Sequence, residues 1–367
     1  MQTESVRAFA EKHVRSTLIS RYQDRAFSRE LWGEMARAGL FRFLVPPEYG
    51  GSAQTPVQFL EAIEAFVSGG HDLGLCLSWL DHLLIHTHVI ARFGTPEQKH
   101  RFLPGLAGGD RIGALAASEP GSGADPVKMT ARAESQNGAY RIQARKIYIT
   151  NGPVADRVIV LARTEPGSAK EGISAFVVDA ATPGFRVAER MDLGFLNTSP
   201  HGELVLENCL VPSEDLLGER GEGHTRISRA VFAWERFLLL VALGAHFRLL
   251  FQYAVRGIAR GAGSPGQEER REIAAAHVVL EGLRETTRGL ACEVLQRTAL
   301  DGRLLERLLF LGREFTSWWE DLQGILERHP PEPDLFFPIL VRDARLLLVN
   351  QRLISLQLDR VARELLD

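Results

Sequence analysis

The spacing of apolar residues changes twice along this chain of 367 residues, and this change restricts the folds open to it. In residues 1–108 apolar residues recur three and four positions apart, as in LWGEMARAGLFRFL, which is the period of an amphipathic helix. Residues 109–217 hold short β-rich runs between turn residues, such as DRVIVLART and ISAFVVDA. The helical period returns in residues 218–367. The sequence therefore predicts an α+β fold with a helical domain, a central β-domain and a second helical domain.

The composition is that of a globular protein and argues against several kinds of partner. The formal net charge of −3 gives no general attraction to nucleic acid or to anionic lipid. Cys76, Cys209 and Cys292 lack the paired spacing of a zinc site or a disulfide framework, which favours a reducing compartment. Polar residues interrupt the most apolar stretch, 237–251, which is shorter than the roughly 20 residues of a membrane span. We therefore expect a cytoplasmic protein that binds neither nucleic acid nor membrane.

Three strings in the middle of the chain carry the most specific information. SEPGSGAD at 118–125 contains small residues, which let backbone N–H groups approach a flavin oxygen or a pyrophosphate. RKIYITNG follows at 145–152, and LVLENCLVPSEDLLGERGEGH at 204–224 ends the β-rich part. Standing alone, the first string would favour an ordinary turn.

Taken with ARFGTPEQKHRFLPGLAGGD at 91–110, these strings resemble the acyl-CoA dehydrogenase family, and the resemblance runs along nearly the whole chain. It implies an N-terminal helical domain, a central β-barrel domain and a C-terminal four-helix bundle. It also implies that FAD is held against an acyl thioester. The residues that it implies for cofactor binding are Leu115, Ala117, Ser118, Gly123, Ala124, Tyr148, Thr150 and Gln323.

Two of these positions depart from the family pattern, and a third has a defined role in it. Tyr148 stands where the family usually has a tryptophan stacked on the flavin ring, so a flat face is kept with less area. Ala124 replaces a serine whose hydroxyl meets the pyrophosphate. Thr150 is implied to hydrogen-bond the flavin edge that accepts hydride.

The location of the catalytic base decides the function. Dehydrogenation of an acyl thioester needs a base for the α-proton while the β-hydrogen leaves as hydride. In most of the family a glutamate serves, a few residues after an Arg-Asp-Ala string near the C-terminus. Counting from that string at 342–344 puts Gln351 at its position, and an amide cannot accept the proton.

A minority branch of the family, which is isovaleryl-CoA dehydrogenase-like and prolyl-carrier-protein dehydrogenase-like, carries its glutamate on an earlier helix, directly before an arginine. Here Glu235 precedes Arg236 in AWERFLLLVALG. We expect Glu235 to be the base, with burial in this apolar helix raising the pKa of its carboxyl. The alternative is an exposed or ion-paired glutamate. Arg236 and Gln351 are then neighbours of the acyl pocket.

The motifs with which family tetramers complete the FAD site from a neighbouring subunit are altered. VRGIARGAGSPGQ offers Arg256 or Arg260 in place of one arginine, and DLQGILERHPPEP retains Gln323 and Gly324 of a longer string. A homodimer and a homotetramer both stay open, and FAD remains the expected cofactor although FMN is conceivable. By analogy, such changes are typical of secondary metabolism, with the acyl group on CoA or on an acyl or peptidyl carrier protein.

Three functions are therefore compatible with the sequence. The first is α,β-dehydrogenation of an acyl or aminoacyl thioester, with an electron-transfer partner or oxygen reoxidising the flavin. The second is a flavin-dependent monooxygenase of the same fold, which needs no α-proton base and agrees with Gln351. The third is a flavin-poor scaffold or partner subunit.

Several other clusters have a structural and a functional interpretation. His82 and His86 have a metal-chelating spacing, with His88 nearby, but without a third ligand we expect packing or surface histidines. Phe315, Trp318 and Trp319 indicate helix packing, with a pocket wall as the alternative. A set of arginines could dock an acidic carrier protein or form a solvated helix face: Arg248, Arg256, Arg270, Arg271, Arg284 and Arg288.

Overall fold

The computed structural model describes residues 3–52, 54–121, 123, 125–165, 172–260, 265–297, 302–332, 334–348 and 358, with side chains omitted at 84–86. Over these residues the chain forms helices, then a sheet, then helices again. This order confirms the predicted α+β class.

The N-terminal part contains seven α-helices among the described residues: α1 Thr3–Phe9, α2 Ser16–Asp24, α3 Arg29–Arg37, α4 Pro56–Gly70, α5 Leu73–Leu80, α6 Val89–Phe93 and α7 Pro96–Ala107. A π-helical turn at Ala10–Arg15 joins α1 to α2, and another at Asp81–His88 joins α5 to α6. The starts of α4 and α7 follow from the sequence, because Thr55 and Thr95 each form a capping box with the glutamine three residues later. Each of these helices also begins with proline, which needs no N–H partner there.

The buried carboxylate of Asp72 connects this helical part to the β-domain. Its Oδ1 accepts a hydrogen bond of 2.9 Å from the backbone N–H of Leu75 and so caps α5. Its Oδ2 lies 2.6 Å from Nη1 of Arg21 in a buried ion pair, and the Thr198 hydroxyl also donates to Oδ1. One side chain therefore holds α2, α5 and the loop before the last long strand together.

The β-domain is a single sheet of eight strands among the described residues: β1 Gly113–Ala116, β2 Arg132–Gln136, β3 Ala139–Thr150, β4 Arg157–Arg163, β5 Ile173–Asp179, β6 Phe185–Met191, β7 His201–Pro212 and β8 Leu216–Leu217. The strand order is β6-β7-β3-β2-β4-β5-β8, and β1 pairs in parallel with β4. Within the described part of the chain, β6 and β8 do not pair, so the sheet is open where the resemblance implied a barrel. The long antiparallel pair β3–β7 places Thr150 directly opposite His201.

Among its described residues, the C-terminal part contains three long helices and a short one: α8 Arg229–Ala259, α9 Gln267–Gln296, α10 Gly302–Arg328 and α11 Phe337–Asp343. The last helix of the expected four-helix bundle would fall in 349–367, of which only residue 358 is described. The described helices α8, α9 and α10 pack on one another, and α8 and α9 also pack on α4.

Aromatic residues fill the centre of this bundle. The ring of Phe247 stacks on that of Trp319 with centroids 5.3 Å apart, and Phe315 lies beside Phe247. The indole N–H of Trp318 donates to the carbonyl of Ala276 on α9 over 2.7 Å. The prediction that this cluster packs helices together is confirmed.

One described helical segment, Gly223–Ala259, is long and apolar enough to cross a membrane by length and composition alone, and 67% of its most apolar window is buried inside this structure. It comprises a π-helical start and the whole of α8. A core helix of a helical bundle meets the same criterion. Its contacts with α4, α9 and α10 are those of such a core helix.

Ion pairs join the C-terminal helices to α4. Glu64 lies 2.9 Å from Nη2 of Arg284 and 3.2 Å from Nη2 of Arg248, while Glu61 lies 2.7 Å from Nη2 of Arg288. These three arginines, for which a carrier-docking surface and a solvated face were the alternatives, are therefore partners of α4. A plain solvated face is therefore wrong for them, and docking of a carrier protein stays a prediction. Sequence does not reveal which carboxylates of α4 fold against α8 and α9.

The carboxyl of Asp343 is buried at the contact between α2 and α11. Its Oδ1 accepts from the Tyr22 hydroxyl over 2.6 Å and from the backbone N–H of Leu196 over 2.7 Å. Burial raises the pKa of Asp343 to about 7, although these two donors and Arg342 act in the opposite direction. Between about pH 4 and pH 7 the folded chain therefore keeps a proton on Asp343 that the unfolded chain has released.

We predict that Asp343→Asn removes a pH dependence of stability. Because the pKa of Asp343 is raised in the folded chain, its contribution makes the free energy of unfolding fall as pH rises from about 4 to 7. Asparagine keeps the acceptor oxygen and cannot ionise, so the variant should gain stability over wild type with rising pH. Urea unfolding at several pH values measures the difference, and the exposed Asp24→Asn is the control. A difference in unfolding free energy between wild type and Asp343→Asn that does not change with pH would contradict the raised pKa of Asp343.

Candidate active site

The first strand presents two of the predicted cofactor residues on one side. Ala114 and Ala116 are buried, whereas Leu115 and Ala117 are half-buried, because alternate residues of a strand face opposite sides. Ser118 is also half-buried, and its carbonyl accepts a hydrogen bond of 3.0 Å from the backbone N–H of Ile147. The end of β1 therefore lies against β3, one residue before Tyr148.

Glu119 organises the loop that follows. Its backbone exchanges two hydrogen bonds with Gly123, of 2.7 and 2.9 Å, which close the loop on itself. Its buried carboxylate accepts from the backbone N–H groups of Thr130 and Ala131, over 2.7 and 3.0 Å. It also lies 2.9 Å from the Nζ of Lys146 on β3.

The two partners of this buried pair each oppose the effect of burial on the pKa of the other. Burial by itself would raise the pKa of Glu119, but the Lys146 ammonium and the hydrogen bonds outweigh it and the pKa is lowered. Burial lowers the pKa of Lys146, and Glu119 opposes that change. Lys146 also donates to the carbonyl of Ala117 over 3.2 Å, so it fixes the chain on both sides of Ser118.

The tip of the loop is open above its backbone. Gly123 has φ +59°, a left-handed conformation that favours glycine, and a Cβ placed there would meet nothing within 4 Å. A flat or anionic group therefore has room to approach this backbone. Ala124, the predicted replacement for a phosphate-binding serine, lies outside the described residues.

Tyr148 has an unusual backbone conformation and an accessible ring. Its φ is +60°, and it lies in the register shift between Lys146 and Ile149, where β3 bulges against β7. Its side chain is 58% exposed while the following Ile149 is buried. Strained, exposed aromatic residues at a bulge are typical of ligand sites. Together with the space at Gly123, this surface fits a flavin ring and its pyrophosphate.

Thr150 and the residue after it connect this surface to the helices. The Thr150 hydroxyl lies 3.3 Å from Nε2 of His201. The side-chain amide of Asn151 donates to the carbonyl of Ser78 on α5 over 2.9 Å. Three residues after Ser78, on the same side of the helix, comes Asp81.

Asp81 is a buried carboxyl that lacks a hydrogen-bond partner for Oδ2 among the described residues. Burial raises its pKa well above the usual range, and the charge of Glu235 raises it further. The segment that begins at Asp81 packs against α8, which carries Glu235. Burial and the charge of Glu235 therefore both favour the protonated form of Asp81.

Glu235 itself is exposed, which corrects the expectation that it is buried in the apolar helix. Even so, surrounding protein removes enough solvation to raise the pKa of its carboxyl, against the effect of Arg236. An accessible carboxyl with a raised pKa is typical of a side chain that lines a cleft. Asn151 contacts Ser78 on α5, and the segment that begins at Asp81 packs against α8, so α5 and this segment connect the end of β3 to the helix that carries Glu235.

Arg236, the next residue of α8, is buried. Both terminal guanidinium nitrogens lack a hydrogen-bond partner in the described structure, and the group lies over the ring of Phe232 at 4.9 Å. Burial lowers its pKa, and Glu235 opposes the change. It is a buried cation next to the candidate base, and its place beside the acyl pocket stays a prediction.

A further predicted residue, Gln323, does not join this group. Gln351 lies outside the described residues. Gln323 is exposed on α10, whose main contacts are with α8 and α9, so a cofactor role for it would need a second copy of the chain. Arg256 lies over Tyr253 and Arg260 pairs with Glu332.

The sequence analysis did not single out His201, Asp81, Lys146 or Glu119. Asp81 had a visible signal, since it is a carboxyl within the apolar run LGLCLSWLDHLLI. Glu119 and Lys146 are 27 residues apart in sequence, and Thr150 and His201 are 51 apart, so their pairing depends on the fold.

Comparisons with known proteins agree with this architecture. Residues 1–110 match the acyl-CoA dehydrogenase N-terminal domain, and residues 114–209 match the acyl-CoA dehydrogenase middle domain. An isovaleryl-CoA dehydrogenase from Oryza sativa subsp. japonica is 36% identical over 222 residues, which are 60% of this chain and 54% of that protein. An L-prolyl-[peptidyl-carrier protein] dehydrogenase from Serratia sp. is 34% identical over 248 residues, 67% of this chain and 64% of that protein.

The similarity in structure extends further than the similarity in sequence. The FAD complex of PigA has a TM-score of 0.84 at 26% identity and covers 97% of this chain and 96% of its own. The sequence matches, in contrast, span about half to two thirds of the curated relatives. The chain belongs to the acyl-CoA dehydrogenase family. The predicted roles of its site residues stay predictions.

We predict that Glu119→Ala strongly destabilises the chain. The change leaves the Lys146 ammonium, which is 0% exposed, without its carboxylate, and breaking a buried pair costs about 3–5 kcal/mol of unfolding free energy. The control is Glu207→Ala on the exposed pair with Arg186, which should cost about 1 kcal/mol or less. Denaturant unfolding of both variants gives the two values, and equal losses would refute the anchoring role.

Proposed function

We propose that this protein dehydrogenates an acyl or aminoacyl thioester between its α and β carbons with FAD as hydride acceptor. The proposal is carried by one observation, the accessible Glu235 carboxyl whose pKa is raised where α8 meets the Asp81–His88 segment. The family membership and the relatives named for isovaleryl-CoA and L-prolyl-carrier-protein dehydrogenation support it.

The cofactor proposal rests on the surface formed by β1, the Ser118 loop and β3. Leu115, Ala117 and Ser118 would lie against the ring system, with Tyr148 providing an aromatic face and Gly123 the space for the pyrophosphate. The FAD complex of the similar PigA structure supports the choice of FAD. When bound, FAD would supply the acceptor for a hydrogen with its electron pair.

The chain supplies the proton chemistry. Glu235, when ionised, takes the α-proton as the β-hydrogen departs with its bonding electrons, and a double bond forms between the two carbons. The raised pKa of Asp81 favours its protonated form, which adds no second charge. The Arg236 cation stabilises the ionised form of Glu235. The cleft therefore presents one basic carboxylate to the thioester.

The finer features of this function are also proposals. The acyl group would be presented by CoA or by an acyl or peptidyl carrier protein, in specialised biosynthesis, and reoxidation would use an electron-transfer partner or oxygen. A cytoplasmic location agrees with the free cysteines Cys76, Cys209 and Cys292. A homodimer or homotetramer would bring Gln323 of a second copy to the cofactor.

We predict that Glu235→Gln abolishes flavin reduction by substrate. Under anaerobic conditions a matching acyl or aminoacyl thioester should bleach the visible flavin band of the FAD-loaded wild type. The amide cannot accept the α-proton, so the variant should bind FAD and remain yellow. Stopped-flow absorbance gives the rate, and Glu222→Gln, whose parent pairs with Arg226 at the surface, is the matched control.

Three outcomes would contradict the proposal. Normal bleaching of the Glu235→Gln variant would exclude Glu235 as base. A long-lived hydroperoxyflavin spectrum after mixing reduced protein with oxygen, without bleaching by any thioester in a CoA and carrier-protein panel, would favour the monooxygenase. Purified protein that neither binds FAD nor gains thermal stability from it would favour the scaffold.

The pH profile of bleaching should report the pKa of Glu235. Because the base must be ionised and its pKa is raised, the rate should rise with pH through a midpoint above the usual glutamate value. Arg236 lowers that pKa, so Arg236→Gln should move the midpoint to higher pH and Arg236→Lys should largely restore it. A midpoint that does not change with the charge at position 236 would contradict the assignment of Glu235 as the base. Arg226→Gln is the control for a change of surface charge.

A further inference from the structure

His201 is a buried neighbour of the partly accessible Thr150 hydroxyl. The two residues are direct partners across the β3–β7 pair, and Thr150 Oγ1 lies 3.3 Å from His201 Nε2. His201 is 7% exposed, whereas Thr150 is half-buried. The imidazole can therefore influence a ligand of the Thr150 hydroxyl without contacting that ligand itself.

The second ring nitrogen decides where the proton of His201 lies. Nδ1 is 3.0 Å from the carbonyl oxygen of Ser199, and a carbonyl only accepts hydrogen bonds. Nδ1 must therefore carry a proton, and in the neutral ring Nε2 has a lone pair. The Ser199 backbone is itself fixed, since its N–H donates to Leu196 over 2.8 Å and its hydroxyl lies 3.1 Å from that of Ser78.

A second proton on the ring is disfavoured. Burial lowers the pKa of His201, and the hydrogen bond to Ser199 only partly opposes this. In the described part of the chain no carboxylate forms an ion pair with this imidazole, as one does with His13. His201 is therefore neutral near pH 7, with Nε2 as an acceptor.

We propose that His201 is a positioning residue that holds the Thr150 hydroxyl as a hydrogen-bond acceptor toward the flavin edge. Because the hydroxyl proton is directed to Nε2 of His201, only oxygen lone pairs face the cleft. The inference rests on the proposed function, since it needs FAD beside Thr150.

An acceptor at this position distinguishes the two redox states of a flavin. The ring nitrogen that receives hydride has a lone pair when oxidised and an N–H group when reduced. A hydroxyl fixed as an acceptor bonds the N–H of the reduced ring and faces the lone pair of the oxidised ring unfavourably. His201 thereby raises the reduction potential of the bound flavin and favours hydride acceptance.

The tautomer can be tested without any cofactor. Nitrogen-15 labelling of histidine in the full chain, with His201→Gln to assign the signal, reports which ring nitrogen is protonated. We expect Nδ1–H and an unprotonated Nε2 at pH 7. An Nε2–H tautomer or a doubly protonated ring would overturn the inference, whether or not the chain binds FAD.

The consequence can be tested by spectroelectrochemistry of the FAD-loaded protein. His201→Leu frees the Thr150 hydroxyl to turn and donate, so the potential should become more negative than in wild type. Thr150→Val should also lower it, and His201→Leu should add no further shift in that background. The control is Thr164→Val, whose hydroxyl lies 2.8 Å from that of Ser174 in another part of the sheet, and it should leave the potential unchanged.

The outcomes separate this inference from the proposed function. If FAD binds and a thioester bleaches it but His201→Leu leaves or raises the potential, the inference fails and the function stands. If His201→Leu shifts the potential equally with and without the Thr150 hydroxyl, His201 acts by another route and the inference also fails. If no FAD binds, the proposed function is wrong, and the tautomer measurement is then the test of the inference about His201.

Discussion

The buried ion pair between Lys146 and Glu119 is the contact on which the shape of the candidate site depends. Glu119 holds the loop after β1 by accepting from Thr130, Ala131 and Lys146 at once. Lys146 lies two residues before Tyr148, so one contact sets both the loop and the bulge. Charges removed from water must be paired, so the loop and the bulge cannot move apart without leaving one of these buried charges unpaired.

A buried histidine performs a similar task between the helices and the sheet. His82 Nε2 lies 3.0 Å from the carbonyl of Leu106, so it donates there, and Nδ1 accepts from the backbone N–H of Gly113 at the start of β1. The rings of Trp32 and Phe41 meet it edge-on, and burial lowers its pKa to about 4. The neutral ring thus joins α7 and β1 to the segment that packs against α8, and the packing interpretation of His82 is confirmed.

The order of the elements could be predicted because apolar period and turn chemistry are local. Helix starts at Thr55 and Thr95 and the tight turn at Asn137 and Gly138, both with positive φ, are encoded within a few residues. The exposure of Glu235 could not be predicted, since it depends on how other segments surround α8 and leave an opening. The pairing of His201 with Thr150 likewise arises only from the β3–β7 register. Long-range contacts, not residue types, give the site its electrostatics.

The apolar character of α8 has a consequence for how the chain must be assembled. This helix precedes its covering partners α9 and α10 in the chain, so during synthesis only earlier elements such as α4, α5 and the Asp81–His88 segment are available to shield it. Until the later helices emerge, an apolar rod of 31 residues is available for aggregation or for capture by chaperones. The segment that carries the candidate base is therefore also the one whose solubility depends on the completion of the bundle.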